Sequence, residues 1–337
     1  FNNRLNVVFD WYQRDTKGML APGMELPGVL GAKAPLQNSA DLRAKGWEIS
    51  LDWNDRIGNV QYYLGFNLYD SRTKITKYDN EVGLLGKDSD GNLIYRKGME
   101  LGEIWGYTTD RLYTEDFDSQ GKLKNNIPKM EGYNPNPGDI LYVDFDGNGI
   151  INNGKNTSNE PGDTHIIGND TRRYQYGIRG GAAWKGISLS FILQGVGKRD
   201  LWLMNELFYP HYDAYSTLFD SQLNYWTPEH TNSYFPRLYE KAEGNTKANQ
   251  KTQTRFLQNG AYLSIRNISL SYTFPIKLIK PLGITNLSVF FSGENLFTFD
   301  HLPKGIDAER VVTDNLGQRG FTYPYMRQFS FGINLSL

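Results

Sequence analysis

The residues Arg327 to Leu337 alternate without a break. Phe329, Phe331, Ile333, Leu335 and Leu337 fall on one parity, and Gln328, Ser330, Gly332, Asn334 and Ser336 on the other. A period of two is that of a β-strand with one apolar and one polar face. Chain termini fray unless they are tied into a sheet, so a strand this regular at the end of the chain is expected to be held on both sides. It reads as the closing strand of a transmembrane antiparallel β-barrel, and the rest of the chain is consistent with that reading.

Seven further stretches alternate in the same way. Arg4 to Gln13 sets Leu5, Val7, Phe9 and Trp11 against Asn6, Val8, Asp10 and Tyr12. Gly46 to Asn54 sets Trp47, Ile49, Leu51 and Trp53 against Glu48, Ser50, Asp52 and Asn54, and after a tight turn at Asp55–Asn59 the pattern returns over Val60 to Asp70. Arg172–Trp184, Ile187–Val196, Tyr262–Phe274 and Asn286–Thr298 supply the others. In the first half of Tyr262–Phe274, Leu263 and Ile265 stand on the wrong parity, which predicts a bulge or a lumen contact there. The connections run long, short, long, short, long, moderate, long. Long loops are expected at about 16–45, 71–171, 197–261 and 299–326, all at one end of the sheet. Outer-membrane barrels have this asymmetry, with short periplasmic turns and long extracellular loops. A soluble sandwich shares the alternation but has no reason to gather its long loops at one end.

Composition supports this class and removes others. No run of 18 apolar residues exists to make a membrane-spanning helix, and a barrel needs none. The 337 residues carry a formal net charge of −1, so nucleic acid is not an expected partner. The absence of cysteine excludes disulfides, thiolate metal sites and thiol nucleophiles. No phosphate-binding, dinucleotide-binding or serine-hydrolase motif is present. His165, His211, His230 and His301 are scattered over loops without metal or triad spacing. Glu115-Asp116 reads as an acidic loop rather than a glycosidase pair, which needs two positioned carboxyls with separated pKa values. The chain is not expected to be an enzyme. Between Arg72 and Thr171 lie 17 acidic and 11 basic side chains, a balance that disfavours an anionic cargo at this loop.

The loops are rich in aromatic residues. Trp105, Tyr107 and Tyr113 lie in the first very long loop. Trp202, Phe208, Tyr209, Tyr212, Tyr215, Tyr225, Trp226, Tyr234 and Phe235 lie in the next. Such rings either pack the loops into a folded cap or offer stacking platforms for a sugar or anchors for a peptide. The candidate cargo contacts are Trp105, Tyr107, Tyr113, Trp202, Tyr209, Tyr212 and Trp226.

Several stretches together resemble the SusC-like (SusC/RagA) TonB-linked outer-membrane transporters. Gly138-Asp139-Ile140-Leu141-Tyr142-Val143-Asp144-Phe145-Asp146-Gly147-Asn148-Gly149 is similar to a signature of that family. Tyr262–Tyr272 and Ser292–Phe297 resemble two of its late strands, and Met99–Tyr107 a lumen-facing loop. The resemblance spans nearly the whole chain in the family's order. It implies the C-terminal part of a barrel of about 22 strands in the outer membrane of a Gram-negative cell, crossing it many times. The signal peptide, plug and TonB-contacting segment would lie in an N-terminal part not included here. It further implies TonB-driven import of a large nutrient, a glycan or a peptide. A SusD-like surface lipoprotein would act as the lid, and such transporter–lipoprotein pairs would form a dimer. Leu337 departs from the aromatic residue on which such proteins usually end.

Asp144, Asp146 and Asn148 also occupy positions 1, 3 and 5 of an EF-hand-type loop, with Gly149 at 6 and the Ile150 carbonyl at 7. The twelfth position is Lys155 instead of Glu. By the resemblance, Asp163 is the carboxylate that would close a structural calcium site. The competing expectation is a turn whose side chains bond only their own backbone. Two other functions compete with import. One is a complete small passive barrel, for which Asp10, Glu48, Asp52, Arg173 and Arg179 on the lumen parity are costly unless paired or hydrated. The other is a soluble β-rich domain that binds or hydrolyses glycans.

Overall fold

The structure, a computed structural model, describes residues 1–22, 35–78, 83–86, 94–203, 205–212, 216–239, 244–311 and 323–337. Tyr215 and parts of all four expected loops lie outside the described residues. Eight strands make one antiparallel sheet: β1 (Leu5–Pro22), β2 (Leu36–Ile57), β3 (Val60–Lys77), β4 (Arg173–Trp184), β5 (Ile187–Lys198), β6 (Tyr262–Thr273), β7 (Asn286–Asp300) and β8 (Gln328–Ser336). Order in the sheet is order in the chain, with β1 and β8 at the edges. The all-β antiparallel class expected from the alternation is what is found. Two-residue turns join β2 to β3 and β4 to β5. At the second, Lys185 and Gly186 have φ of 47° and 87°. A Cβ at Gly186 would lie 2.5 Å from the Thr273 carbonyl oxygen, so the turn needs a glycine there.

Pairing keeps the apolar parities together across every interface. Phe9 faces Ile49, Ile49 faces Leu68 and Leu68 faces Tyr176. Leu189 faces Leu270, Leu270 faces Phe291 and Phe291 faces Phe331. The result is one continuous apolar face, and it is uncovered: Trp11 is 62% exposed, Ile333 61% and Phe331 73%. The opposite face is lined by serine, asparagine and charge, including an Arg179–Asp52 pair at 2.6 Å. The parity problem in β6 resolves as a bulge. Ile192 pairs with Asn267 and Leu193 with Ile265, so Arg266 has no opposite residue and Leu263 and Ile265 return to the apolar face. Asn295 takes up the irregularity on β7 with φ of 50° and accepts a hydrogen bond from Arg266 Nη1 at 2.8 Å.

Two expectations need correction. Residues 16–22 and 36–45 are strand, not loop: β1 to β3 run for 18, 22 and 18 residues, beyond the ten or so that cross a bilayer. Polar pairs such as Arg43–Asp15, at 2.6 Å, continue the ladder where the apolar alternation has stopped. The long connections contain five further two-stranded pairings among the described residues, as a folded cap requires. Finally, Arg173 does not stay on the polar face. It forms a buried ion pair with Asp70, which shares a row with Trp11 and Trp47 on the apolar side.

The loop that follows β3 is joined to the sheet before it leaves it. Ile75 N donates to Met99 O at 2.9 Å and Leu101 N to Thr73 O at 2.9 Å, continuing the sheet beside β3 where β4 ends. A buried Arg96–Glu103 pair at 2.6 Å braces this segment.

Candidate functional site

The two longest loops form one body around a shared core. Tyr107, Leu112, Tyr113, Met130, Ile140, Leu141, Tyr142 and Ile151 from the first pack against Tyr209, Trp226, Phe235 and Phe256 from the second. Edge-to-face contacts, such as Tyr209 on Phe256 with centroids 5.4 Å apart, knit the rings together. This places four of the seven candidate cargo contacts inside the core: Tyr107, Tyr113, Tyr209 and Trp226 are 8%, 2%, 2% and 7% exposed. In this conformation Tyr107, Tyr113 and Tyr209 lie against other rings, and Trp226 lies against Gly138 and the Arg237 guanidinium. Trp105, Trp202 and Tyr212 keep part of their surface. Trp105 donates its Nε1 to Glu103 at 3.1 Å, and the Arg96 guanidinium lies 5.2 Å from its ring centroid. Trp202 and Tyr212 pack against the outside of the core.

The polar centre of this body is Asp139, a residue of the Gly138-Asp139 motif to which the sequence assigned no role. Its carboxylate accepts from Asn136 N at 2.7 Å, Tyr239 Oη at 2.8 Å, Asn249 Nδ2 at 2.8 Å and Asn245 Nδ2 at 2.9 Å. Asn245 and Asn249 belong to the single helical turn α1 (Asn245–Asn249). Asn249 returns a bond, its Oδ1 accepting from Ile140 N at 2.9 Å. Burial pushes the Asp139 carboxyl up, although each of these bonds pulls the other way. Gly138, with φ of 92°, lies flat against Trp226, and a Cβ there would stand 2.4 Å from the indole ring. The sequence signal for this hub was the clustering of Asn and Tyr in 239–249, which names possible partners but not the residue they surround.

Asp144, Asp146 and Asp163 are brought together, with carboxylate oxygens within 4.8 Å of one another. Asp163 is fully buried and accepts from Phe145 N at 2.7 Å and Asn152 N at 2.9 Å. Asp144 accepts from Gly147 N and Gly149 N, both at 2.8 Å, and Asn148 Oδ1 accepts from Ile150 N at 2.7 Å. Asp146 accepts from Asn148 N at 3.1 Å. The side chains do bond their own backbone, as the turn reading expected. Each carboxylate oxygen retains a second lone pair, and the donor set is oxygen only, which suits a hard cation. Ile150 opens the short strand Ile150–Ile151, paired with Lys129–Met130.

No acid–base pair emerges elsewhere among the described residues. Arg111 grips Asp116 in a two-pronged bond at 2.6 and 2.7 Å and holds its carboxyl below the usual range, the opposite of what a general acid requires. His165 meets Thr108 at 3.1 Å and His230 meets Asn224 at 2.9 Å, so both serve loop packing.

No family model matches the chain. It is similar to two TonB-dependent receptors of Formosa agariphila. It is 26% identical to receptor P3 over 99% of this chain, and 23% identical to receptor P26 over its whole length. It spans about a third of the length of these curated relatives, 32% and 33%. Among solved structures, the RagAB peptide transporter aligns over 99% of this chain and 34% of its own, with a TM-score of 0.68 and 21% identity. The RagAB peptide importer in its open-open state gives a TM-score of 0.69 at 20% identity, over 100% of this chain and 33% of that one.

The Asp139 hub generates the first prediction. Asp139→Ala removes the acceptor shared by four donors, and the buried Asn249 Nδ2 is left without that partner, a loss of about 1–3 kcal/mol for a buried donor. The loss should fall on the joint between the loops, not on the sheet. Limited proteolysis should cut within 236–255 far faster in the variant, with the heat stability of the sheet unchanged. Equal cleavage of variant and wild type would remove Asp139 from this role.

Proposed function

We propose that this chain, whose likeness to SusC-like TonB-linked transporters is shown by the comparisons above, forms part of the wall and surface loops of a TonB-dependent outer-membrane importer. The observation that carries the proposal is the uncovered apolar face running unbroken over eight strands. A patch of that extent is far larger than soluble proteins expose to water, and lipid is the solvent that suits it. Two unsatisfied edges, β1 and β8, call for further strands on both sides, which closure into a larger barrel supplies. Relatives named as receptors and transporters favour import over hydrolysis, in keeping with the absence of an acid–base pair among the described residues.

The cargo we infer is a nutrient too large for passive pores. The solved neighbours are described as peptide transporters, which favours a peptide; an oligosaccharide fits the same partly exposed rings. A surface lipoprotein as lid, TonB as motor and a paired assembly follow from the same likeness and belong to the whole transporter. Of the seven candidate rings, Trp105, Trp202 and Tyr212 are those that keep surface accessible for stacking. Calcium at Asp144, Asp146, Asn148 and Asp163 would have a structural role, neutralising three neighbouring carboxylates at the base of the loop body.

Three outcomes follow. Ile333→Arg places a charge on the lipid face and should cost about 2–4 kcal/mol near the bilayer midplane. Full-length protein carrying it should assemble poorly and lose its heat-resistant mobility on gels; normal assembly would argue against a lipid-facing β8. Trp202→Ala with Tyr212→Ala should weaken cargo affinity roughly thirtyfold, about 1 kcal/mol per ring, in intact transporter with unchanged heat stability. Unaltered affinity and growth on the cargo would leave these rings as packing alone. Calcium added to chelator-treated full-length protein should slow proteolysis within 144–163 in wild type but not in Asp163→Asn. A flat calcorimetric titration with no change in cleavage would dismiss the ion.

A further inference from the structure

The apolar face ends abruptly on β1 to β3, and what replaces it is positive. Trp11 and Trp47 stand opposite each other and mark the last apolar row. In the next row toward the long-loop end, Lys45 is directly opposite Arg72, and in the row after, Arg43 is directly opposite Lys74. Like charges in direct opposition destabilise a strand pair, and here two such pairs are stacked on one face. Together with Trp11, Trp47 and Asp70, these four cations line an open concavity of about 490 Å³.

The carboxylates nearby do not balance the block. Asp15 takes Arg43 at 2.6 Å, Asp70 takes Arg173, and Glu100 lies 3.6 Å from Arg72 and 3.7 Å from Arg173. Five cations face three carboxylates. Lys45 and Lys74 have no carboxylate partner among the described residues, and both are exposed. They sit on adjacent strands and on the same face, so an anion between them would also reach Arg72.

Position identifies the anion. The block lies on the lipid-facing parity, just past the two tryptophans that mark an interfacial girdle. It lies at the end opposite the short turns, so in an outer-membrane protein it meets the outer leaflet at headgroup height. We propose that this face of β1 to β3 binds the phosphate of an outer-leaflet glycolipid headgroup. Lys45 and Lys74 are its primary contacts, Arg72 supports them, and the Trp11 and Trp47 rings rest against the start of the acyl chains. Phosphate recognition by clustered Lys and Arg gains from charge-assisted hydrogen bonds. Here it also relieves the opposed like charges, which a neutral headgroup would not do. The proposal rests on the reading that the apolar face meets lipid.

The test uses full-length protein in nanodiscs of phosphatidylcholine doped with lipid A or with its dephosphorylated form. Lipid retained after release into detergent is counted by native mass spectrometry. Wild type should retain the phosphorylated form selectively. The K45Q/K74Q variant should lose that retention by on the order of tenfold, given the contribution of each basic side chain near an anionic surface, while keeping wild-type heat stability. Equal retention of phosphorylated and dephosphorylated lipid by wild type overturns the proposal without touching the membrane reading. So does unchanged retention by the variant. Wild-type protein that stays soluble without detergent and does not enter nanodiscs overturns both.

Discussion

The constraint on which the rest of this structure depends is register. Each strand carries its apolar residues on alternate positions, so a slip of one residue at any interface would turn an entire strand's apolar set to the polar side. Seven interfaces must agree, and they do, from Phe9 opposite Ile49 at one edge to Phe291 opposite Phe331 at the other. The one place where sequence parity breaks is repaired within the sheet. Arg266 is bulged out on β6, and Asn295 takes a left-handed conformation beside it on β7. The inserted residue is an arginine whose guanidinium finds Asn295 and Glu309, so the irregularity is used to aim a side chain.

On the reading proposed above, a wall whose apolar face meets lipid cannot lend that face to its loops. The loops must therefore build a core of their own, which explains their aromatic content better than exposure does. Tyr113, Tyr142, Tyr209 and Trp226 are the interior of a body made from two segments roughly a hundred residues apart in the chain. Rings suit this role because each buries a large area at little cost in side-chain entropy. Asp139 supplies what rings cannot, a centre with several acceptor sites that fixes how the two segments meet.

The strand faces were legible in the sequence because period two is a local property, visible within one segment such as Phe329–Leu337. The bulge was legible for the same reason, as Leu263 and Ile265 fall out of step with Ile268 and Leu270. The ends of the long strands were not. Beyond Gln13 and before Gly46 charged residues interrupt the apolar parity, so pairing continues after the alternation that would announce it has ceased, as with Asp15 and Arg43. Burial of the loop rings was equally hidden. Nothing within 105–113 separates Trp105, which keeps part of its surface, from Tyr113, which keeps almost none. The difference lies in residues from outside that stretch, among them Phe117, Pro128 and Asp139, which close around Tyr113. The meeting of Asp144 and Asp146 with Asp163 was legible only through the family resemblance, since the intervening insertion removes the local spacing.

Strand length ties these observations together. Twenty-two residues of extended chain reach on the order of 70 Å, and even at a tilt of about 45° that exceeds the roughly 30 Å of a hydrocarbon core. The upper parts of β1 to β3 must therefore extend past the hydrocarbon core of any bilayer they cross, as the charges beyond Trp11 and Trp47 require. It is on this projecting rim that the loop body is mounted. Segment 98–101 extends the sheet beside β3, and the Gly102 carbonyl holds Asp170 N at 2.9 Å. Arg199 Nε then holds the Asp170 carbonyl at 3.0 Å, and Asp200 holds Asn169 N at 3.0 Å. The loops thus leave the wall through paired strands and charge-assisted bonds rather than through slack chain.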